Sequence, residues 1–143
     1  MLGGGALEIA LTTNQSFEQL TSRRILVIDD EESVRMVLAT MLQACGAEVA
    51  TAADGSIGLD MLQQNDYDLV MVDWNMPEMS GLEVIRHVKA CKPDVPTIIC
   101  SGNVNDCADL ATDEKPNSIL QKPLGLSRIA SEINQVLRAT SAD

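Results

Sequence analysis

The chain is poor in positive charge, in histidine and in long apolar runs. Ten lysines and arginines face 21 acidic residues, a formal net charge of -11 over 143 residues. A surface of that sign repels nucleic acid and anionic membrane, so neither is expected as a direct partner, whereas a cation or a basic protein face fits. His87 is the single histidine, and Cys45, Cys91, Cys100 and Cys107 form no CxxC pair. This argues against a His/Cys metal site and reads as reduced, mostly buried thiols in a cytoplasmic protein. No uncharged apolar run approaches the roughly 18 residues of a membrane span. The amino terminus has no basic n-region and Glu8 interrupts its apolar stretch, which argues against a secretory signal. With 45% hydrophobic residues the chain holds one domain's core and no more.

What is present is an alternation of short apolar runs with helical periods. Residues 1–22 stand apart as an amino-terminal extension or linker, with glycines at 3 to 5, alternating Leu7, Ile9 and Leu11, and an isolated Phe17. The regular pattern occupies residues 23–140, and 141–143 form a tail. Ile25 to Ile28 reads as a buried strand, followed by a helix with Val34, Val37, Leu38, Met41 and Leu42 inward and Gly46 as its stop. Glu48 to Ala52 is a second strand, and Ser56 to Gln64 a helix with Ile57, Leu59, Met61 and Leu62. Leu69 to Val72 is a third strand, which Pro77 and Gly81 forbid from continuing. A third helix starts near Gly81 with Leu82, Ile85 and Val88 at core spacing. Pro96 to Cys100 is a fourth strand, Asn105 to Thr112 a short, poor helix ended by Pro116, Ser118 to Gln121 a fifth strand, and Leu126 to Arg138 a last helix. Five strands alternating with five helices imply right-handed crossovers and a parallel α/β sheet covered on both faces.

The strand ends are chemically distinctive: Asp29 and Asp30 after the first, Asp73 after the third, Ser101 after the fourth, Lys122 after the fifth. A parallel sheet puts these on one edge, where ligands bind. Three carboxylates gathered there would repel unless they shared a cation. Mg²⁺ suits their hard oxygens and would sit on Asp30, on Asp29 directly or through water, and on a backbone oxygen near Asn75. A carboxylate beside Mg²⁺, a lysine and a hydroxyl is a workable phosphoryl acceptor, with Asp73 as nucleophile and Lys122 and Ser101 holding phosphoryl oxygens. Taken singly, each residue has a plainer reading. Asp30, Glu31 and Glu32 could complement a helix amino terminus, Ser101 with Gly102 could be a turn, and Lys122 an exposed loop residue. His87 reads as an exposed helix residue, Trp74 as a partly exposed loop aromatic, and the methionines as core filler.

The segments ILVIDDEESVR and VDWNMPEMSGLEVIRHVK, the Ser-Gly after a buried strand, and LQKP together resemble the receiver domain of two-component response regulators over about residues 24 to 139. The resemblance implies a flavodoxin-like, three-layer (βα)5 fold with strand order 2-1-3-4-5. It implies that Asp73 accepts phosphoryl from a histidine of a kinase or phosphotransfer protein, with Mg²⁺ on Asp29, Asp30, Asp73 and the backbone carbonyl of Asn75. It further implies that the Ser101 hydroxyl moves toward the phosphoryl group and repacks the fourth helix, fifth strand and fifth helix, where a downstream protein partner binds. Two positions depart from the pattern: Ile119 replaces the usual aromatic three residues before the lysine, and Gly102 the commoner alanine. The resemblance also implies that Asn75 and Asn103 sit where the family tunes the attack of water on the acyl phosphate, so they are expected to influence its lifetime. The segment Asn103 to Pro116, with Val104 and Leu110 as its main apolar residues, is expected to be short, mobile and easily reshaped.

The start GGG followed by ALEIAL resembles the end of a sensor kinase's ATP-binding domain, which would make the rest the receiver of a hybrid kinase. With the last helix ending close to Asp143, output is expected through protein binding or onward phosphotransfer, from a monomer or weak dimer. The domain is read as a signalling module, not an enzyme. An unphosphorylated interaction module is the alternative, whose mark would be loss of an acidic residue or the lysine. A dehalogenase-like phosphatase would need an acid where Asn75 stands. An FMN carrier would need a phosphate loop where DDEE would repel one.

Overall fold

The computed structural model describes residues 20–107, 109–111 and 114–141. Expectations for the glycine run, for Leu7, Ile9, Leu11 and Phe17, and for the last two residues lie outside them. Five strands form a single parallel sheet: β1 (Arg24–Ile28), β2 (Glu48–Ala52), β3 (Leu69–Asp73), β4 (Thr97–Ser101) and β5 (Ser118–Gln121), in spatial order β2-β1-β3-β4-β5. The flavodoxin-like order expected from the motifs is the one observed.

Four α-helices connect them among the described residues: α1 (Glu32–Ala44), α2 (Gly55–Gln64), α3 (Gly81–Cys91) and α4 (Leu126–Ser141). The helix expected over Asn105 to Thr112 is a correction. Among the described residues a 3-10 turn, Val104–Cys107, follows β4 instead. Asn103 Oδ1 accepts the Asn105 N–H at 3.0 Å, so a local side-chain turn satisfies a donor that a helix would otherwise use. With Asn, Asp and few apolar side chains, the segment has neither the propensity nor the buried stripe to continue it.

Strand side chains alternate between two cores. Ile25, Val27, Leu69, Met71, Ile98 and Leu120 face Leu38 and Leu42 of α1 and Ile129, Ile133, Val136 and Leu137 of α4. Leu26, Ile28, Val70, Val72 and Ile99 face Leu62 of α2 and Val84, Ile85 and Val88 of α3. Each fully buried aliphatic side chain is worth about 1.5–3 kcal/mol, which is why both faces of the central strands are apolar. Leu20 is itself fully buried in the first core, and the Ser22 N–H bonds the Gly46 carbonyl at 3.2 Å. The boundary expected at residue 22 thus lies between a core residue and β1.

Local signals set the helix ends. Gly46, at φ +92°, takes the left-handed conformation that closes α1, with the Gly46 and Ala47 N–H groups turned back onto Gln43 and Leu42. Asp54 caps α2 by accepting the Ile57 N–H at 2.8 Å, and Ser80 caps α3 by accepting the Glu83 N–H at 3.3 Å. Apolar spacing misplaced Val37 of α1 and Ile57 of α2, which are exposed rather than core, and Met36 of α1 is exposed as well. Met36 therefore departs from the expected filler role, whereas Met71 keeps it.

Candidate functional site

Because β1 and β3 are neighbours in register, with Ile28 opposite Val72, the residues that follow them emerge side by side at one sheet edge. Asp29 and Asp73 are buried there and Asp30, one residue on, is exposed. One carboxylate oxygen from each of the three lies within 4.8 Å of the others. Lys122 reaches this cluster from the end of β5, which is two strands from β3, about 10 Å at ordinary strand spacing. A long, unbranched side chain is needed for that span. Its Nζ donates to Asp29 Oδ2 and to Asp73 Oδ1, each at 3.2 Å.

Burial, then the neighbouring charge of Asp29, pushes Asp73 up to about 6, even though Lys122 and the backbone N–H of Asn75 pull it the other way. Burial alone would lower Lys122, but Asp73 and Asp29 outweigh it and hold the ammonium above its ordinary value. Lys122 is thus a fixed cation at neutral pH. Beside the cluster, Cys100 is pushed up to about 12, chiefly by burial, and is an inert thiol.

Asn75 is exposed, with its backbone N–H at the Asp73 carboxylate. Ser101 is fully buried, but its hydroxyl accepts the Asn103 N–H at 3.1 Å and donates to the Asn103 carbonyl at 3.0 Å. Among the described residues no hydrogen bond joins that hydroxyl to Asp73. Gly102 is exposed with open space around its Cα, and Asn103 is exposed. Ile119 is half-buried at the edge of the core shared with α2 and α3. The structure gathers Asp29, Asp30, Asp73, Lys122 and the Asn75 backbone, and leaves Ser101, Asn103 and Ile119 off that cluster.

Three features were not read from the sequence. A Cβ on Gly81 would lie 2.7 Å from the Asp73 carbonyl oxygen, so only a glycine allows the loop after β3 to close this tightly. An apolar groove of about 550 Å³, lined by Val34, Val37, Leu38, Met41 and Leu124, runs to Lys122. Arg35, near the amino terminus of α1, donates through Nη1 to the Asp29 carbonyl at 2.7 Å. A cation there opposes the helix dipole, which was the available signal.

Residues 25–134 match the family model of the response regulator receiver domain. The chain belongs to this family. Among relatives of this receiver, the response regulator MprA of Mycobacterium sp. (strain KMS) is 34% identical over 84% of this chain and 53% of its own length. The cell cycle transcriptional regulator CtrA of Caulobacter vibrioides is 30% identical over 80% and 50%. The receiver thus spans about half the length of the curated relatives it matches. A receiver domain protein from Clostridium thermocellum superposes with a TM-score of 0.78 at 31% identity, covering 84% of this chain and 98% of that one. The response regulator protein TrrA of Thermotoga maritima, solved in complex with Mg(2+)-BeF, superposes with a TM-score of 0.74 at 31% identity, over 80% and 98%. The acidic pocket of Asp29, Asp30 and Asp73 fits the phosphorylation site of such a signalling domain. Among the described residues no helix is long and apolar enough to cross a membrane.

Proposed function

We propose that this receiver accepts a phosphoryl group on Asp73 from the phosphohistidine of a kinase or phosphotransfer protein in a two-component phosphorelay. The observation that carries the reading is Lys122 bridging Asp29 and Asp73 at 3.2 Å each, with Asp30 converging on the same edge. An Asp73 Oδ attacks phosphorus, an O–P bond forms, the N–P bond of the donor breaks, and its electron pair returns to the imidazole nitrogen. Burial keeps Asp73 basic for a carboxylate yet largely ionised at pH 7. Lys122 stands where it can neutralise the phosphoryl oxygens without moving far.

The all-oxygen donor set suits Mg²⁺, which Asp29, Asp30, Asp73 and the backbone carbonyl of Asn75 would hold. When bound it supplies positive charge against the transferring oxygens. Ser101 would release Asn103 to reach the phosphoryl group, carrying the change into the segment before β5 and so to a downstream protein partner. The donor would cover the groove beside Lys122, where Val37 already lies exposed.

Incubation with acetyl phosphate and Mg²⁺, followed by intact mass, tests the proposal. One phosphoryl group should be gained, and the gain should vanish with EDTA or in Asp73→Asn. No gain in mass, together with no Mg²⁺-dependent response to beryllofluoride at Trp74, would favour an interaction module that is not phosphorylated.

A further inference from the structure

Every polar atom of Asp29 is held. Its N–H donates to the Ala52 carbonyl at 3.2 Å, Oδ1 accepts the Glu31 N–H at 3.0 Å, Oδ2 accepts Lys122 Nζ at 3.2 Å, and its carbonyl accepts Arg35 Nη1 at 2.7 Å. Asp30 is the opposite case. It is exposed, and among the described residues its carboxylate makes no hydrogen bond or ion pair, yet its oxygen converges on those of Asp29 and Asp73.

The link between the two is the peptide that joins them. That peptide is a rigid plane, so fixing the Asp29 carbonyl oxygen also fixes the Asp30 nitrogen and the direction in which the chain leaves β1. We infer that Arg35 is a positioning residue for the metal: by holding the Asp29 carbonyl it aims the otherwise unrestrained Asp30 carboxylate at the shared cation. The inference rests on the Mg²⁺ reading above. Arg35 sits in the first turn of α1, where a cation works against the helix dipole and forms no ion pair among the described residues. A guanidinium spent on a backbone carbonyl at this position accounts for its presence.

The inference fixes the sign of an effect. Removing a cation near three carboxylates should, through the field alone, tighten Mg²⁺ binding. Losing the positioning of a ligand should weaken it. Mg²⁺ titration followed by Trp74 fluorescence, in wild type, Arg35→Met, Arg35→Lys, Asp30→Asn and the Arg35→Met/Asp30→Asn double variant, separates the two. Arg35→Met should weaken Mg²⁺ about tenfold, a typical loss for a group that orients a metal ligand, and Arg35→Lys should restore part of it. In the Asp30→Asn background, Arg35→Met should change affinity less than about twofold, because the group it aims is gone.

Tighter or unchanged binding in Arg35→Met, or the same loss in both backgrounds, would overturn the inference. Amide NMR spectra without metal give an independent readout. Arg35→Met, or Arg35→Lys if the first fails to fold, should shift the Asp30 and Glu31 amides, and spectra identical to wild type would also overturn it. If the wild type itself shows no response to Mg²⁺, the metal reading fails and the amide spectra alone decide whether Arg35 orients the turn.

Discussion

The loop that follows β1 and the segment that follows β4 leave the same edge of the sheet, yet they are anchored in different ways. Asp29 is tied through all its polar atoms to β2, α1 and β5, and Gly81 lets the neighbouring loop after β3 close against the Asp73 carbonyl. Between β4 and β5, by contrast, Cys107 is the buried apolar anchor among the described residues and Leu110 is partly buried. An ion pair, Arg86 to Glu114 at 2.6 Å, ties that segment to α3. Acceptor chemistry needs groups preorganised before the donor arrives, whereas a responding segment needs few contacts to break. On the proposed reading, one edge of one sheet supplies both.

The comparison breaks first on stability. Ile98, fully buried in β4, should cost about 2–5 kcal/mol on truncation to Ala. Leu110→Ala, nine residues beyond the end of the same strand, should cost less than about 1 kcal/mol. Urea unfolding of the two variants checks this, and equal losses would mean that the segment is as firmly packed as the sheet.

A smaller effect concerns the cost of holding the acids together. Asp73 titrates near 6 in the folded chain and near 3.9 unfolded, so its contribution to stability is present below about pH 4 and lost as pH rises through about 6. In metal-free protein at pH 7, Asp73→Asn should therefore be more stable than wild type, by about 1–3 kcal/mol, and the gain should disappear at pH 4. Thermal melts at the two pH values measure it. A destabilised variant at pH 7 would show that the Lys122 bridge outweighs burial and the repulsion from Asp29.

The smallest effect sharpens the contrast. Arg86 is largely exposed, so Glu114→Gln should cost less than about 1 kcal/mol overall. Amide exchange over residues 103–117 should nonetheless quicken up to about fivefold while the amides of Glu31 and Asn75 stay unchanged. Uniform change, or none, would remove the ion pair from the account.

Strand positions, the parallel order and the acids at strand ends were legible because they depend on short-range pattern. A run such as Leu69 to Val72 can satisfy its backbone and bury both faces only in the middle of a covered sheet. The family motifs added the strand order. Where apolar spacing misled, as with Val37, the pattern could not say which side of α1 faces the core, because that depends on how the helix rolls against neighbours distant in the chain. The segment after β4 had the composition of a poor helix, and a side-chain turn at Asn103 competed successfully for its first donor.

The amino-acid sequence by itself determined that this chain folds as a parallel sheet with carboxylates, a hydroxyl and a lysine at the strand ends. Only the tertiary structure decided which of them meet. Lys122 lies 93 residues from Asp29 and reaches it because β5 is held two strands from β3; Arg35 grips a carbonyl, an atom no motif records. The Ser101 hydroxyl turns to its own loop, and Leu20 enters a core built from residues far along the chain. Residue type follows from sequence, but side-chain pairing is set by distance and burial, and those exist only once the sheet has brought its edges together.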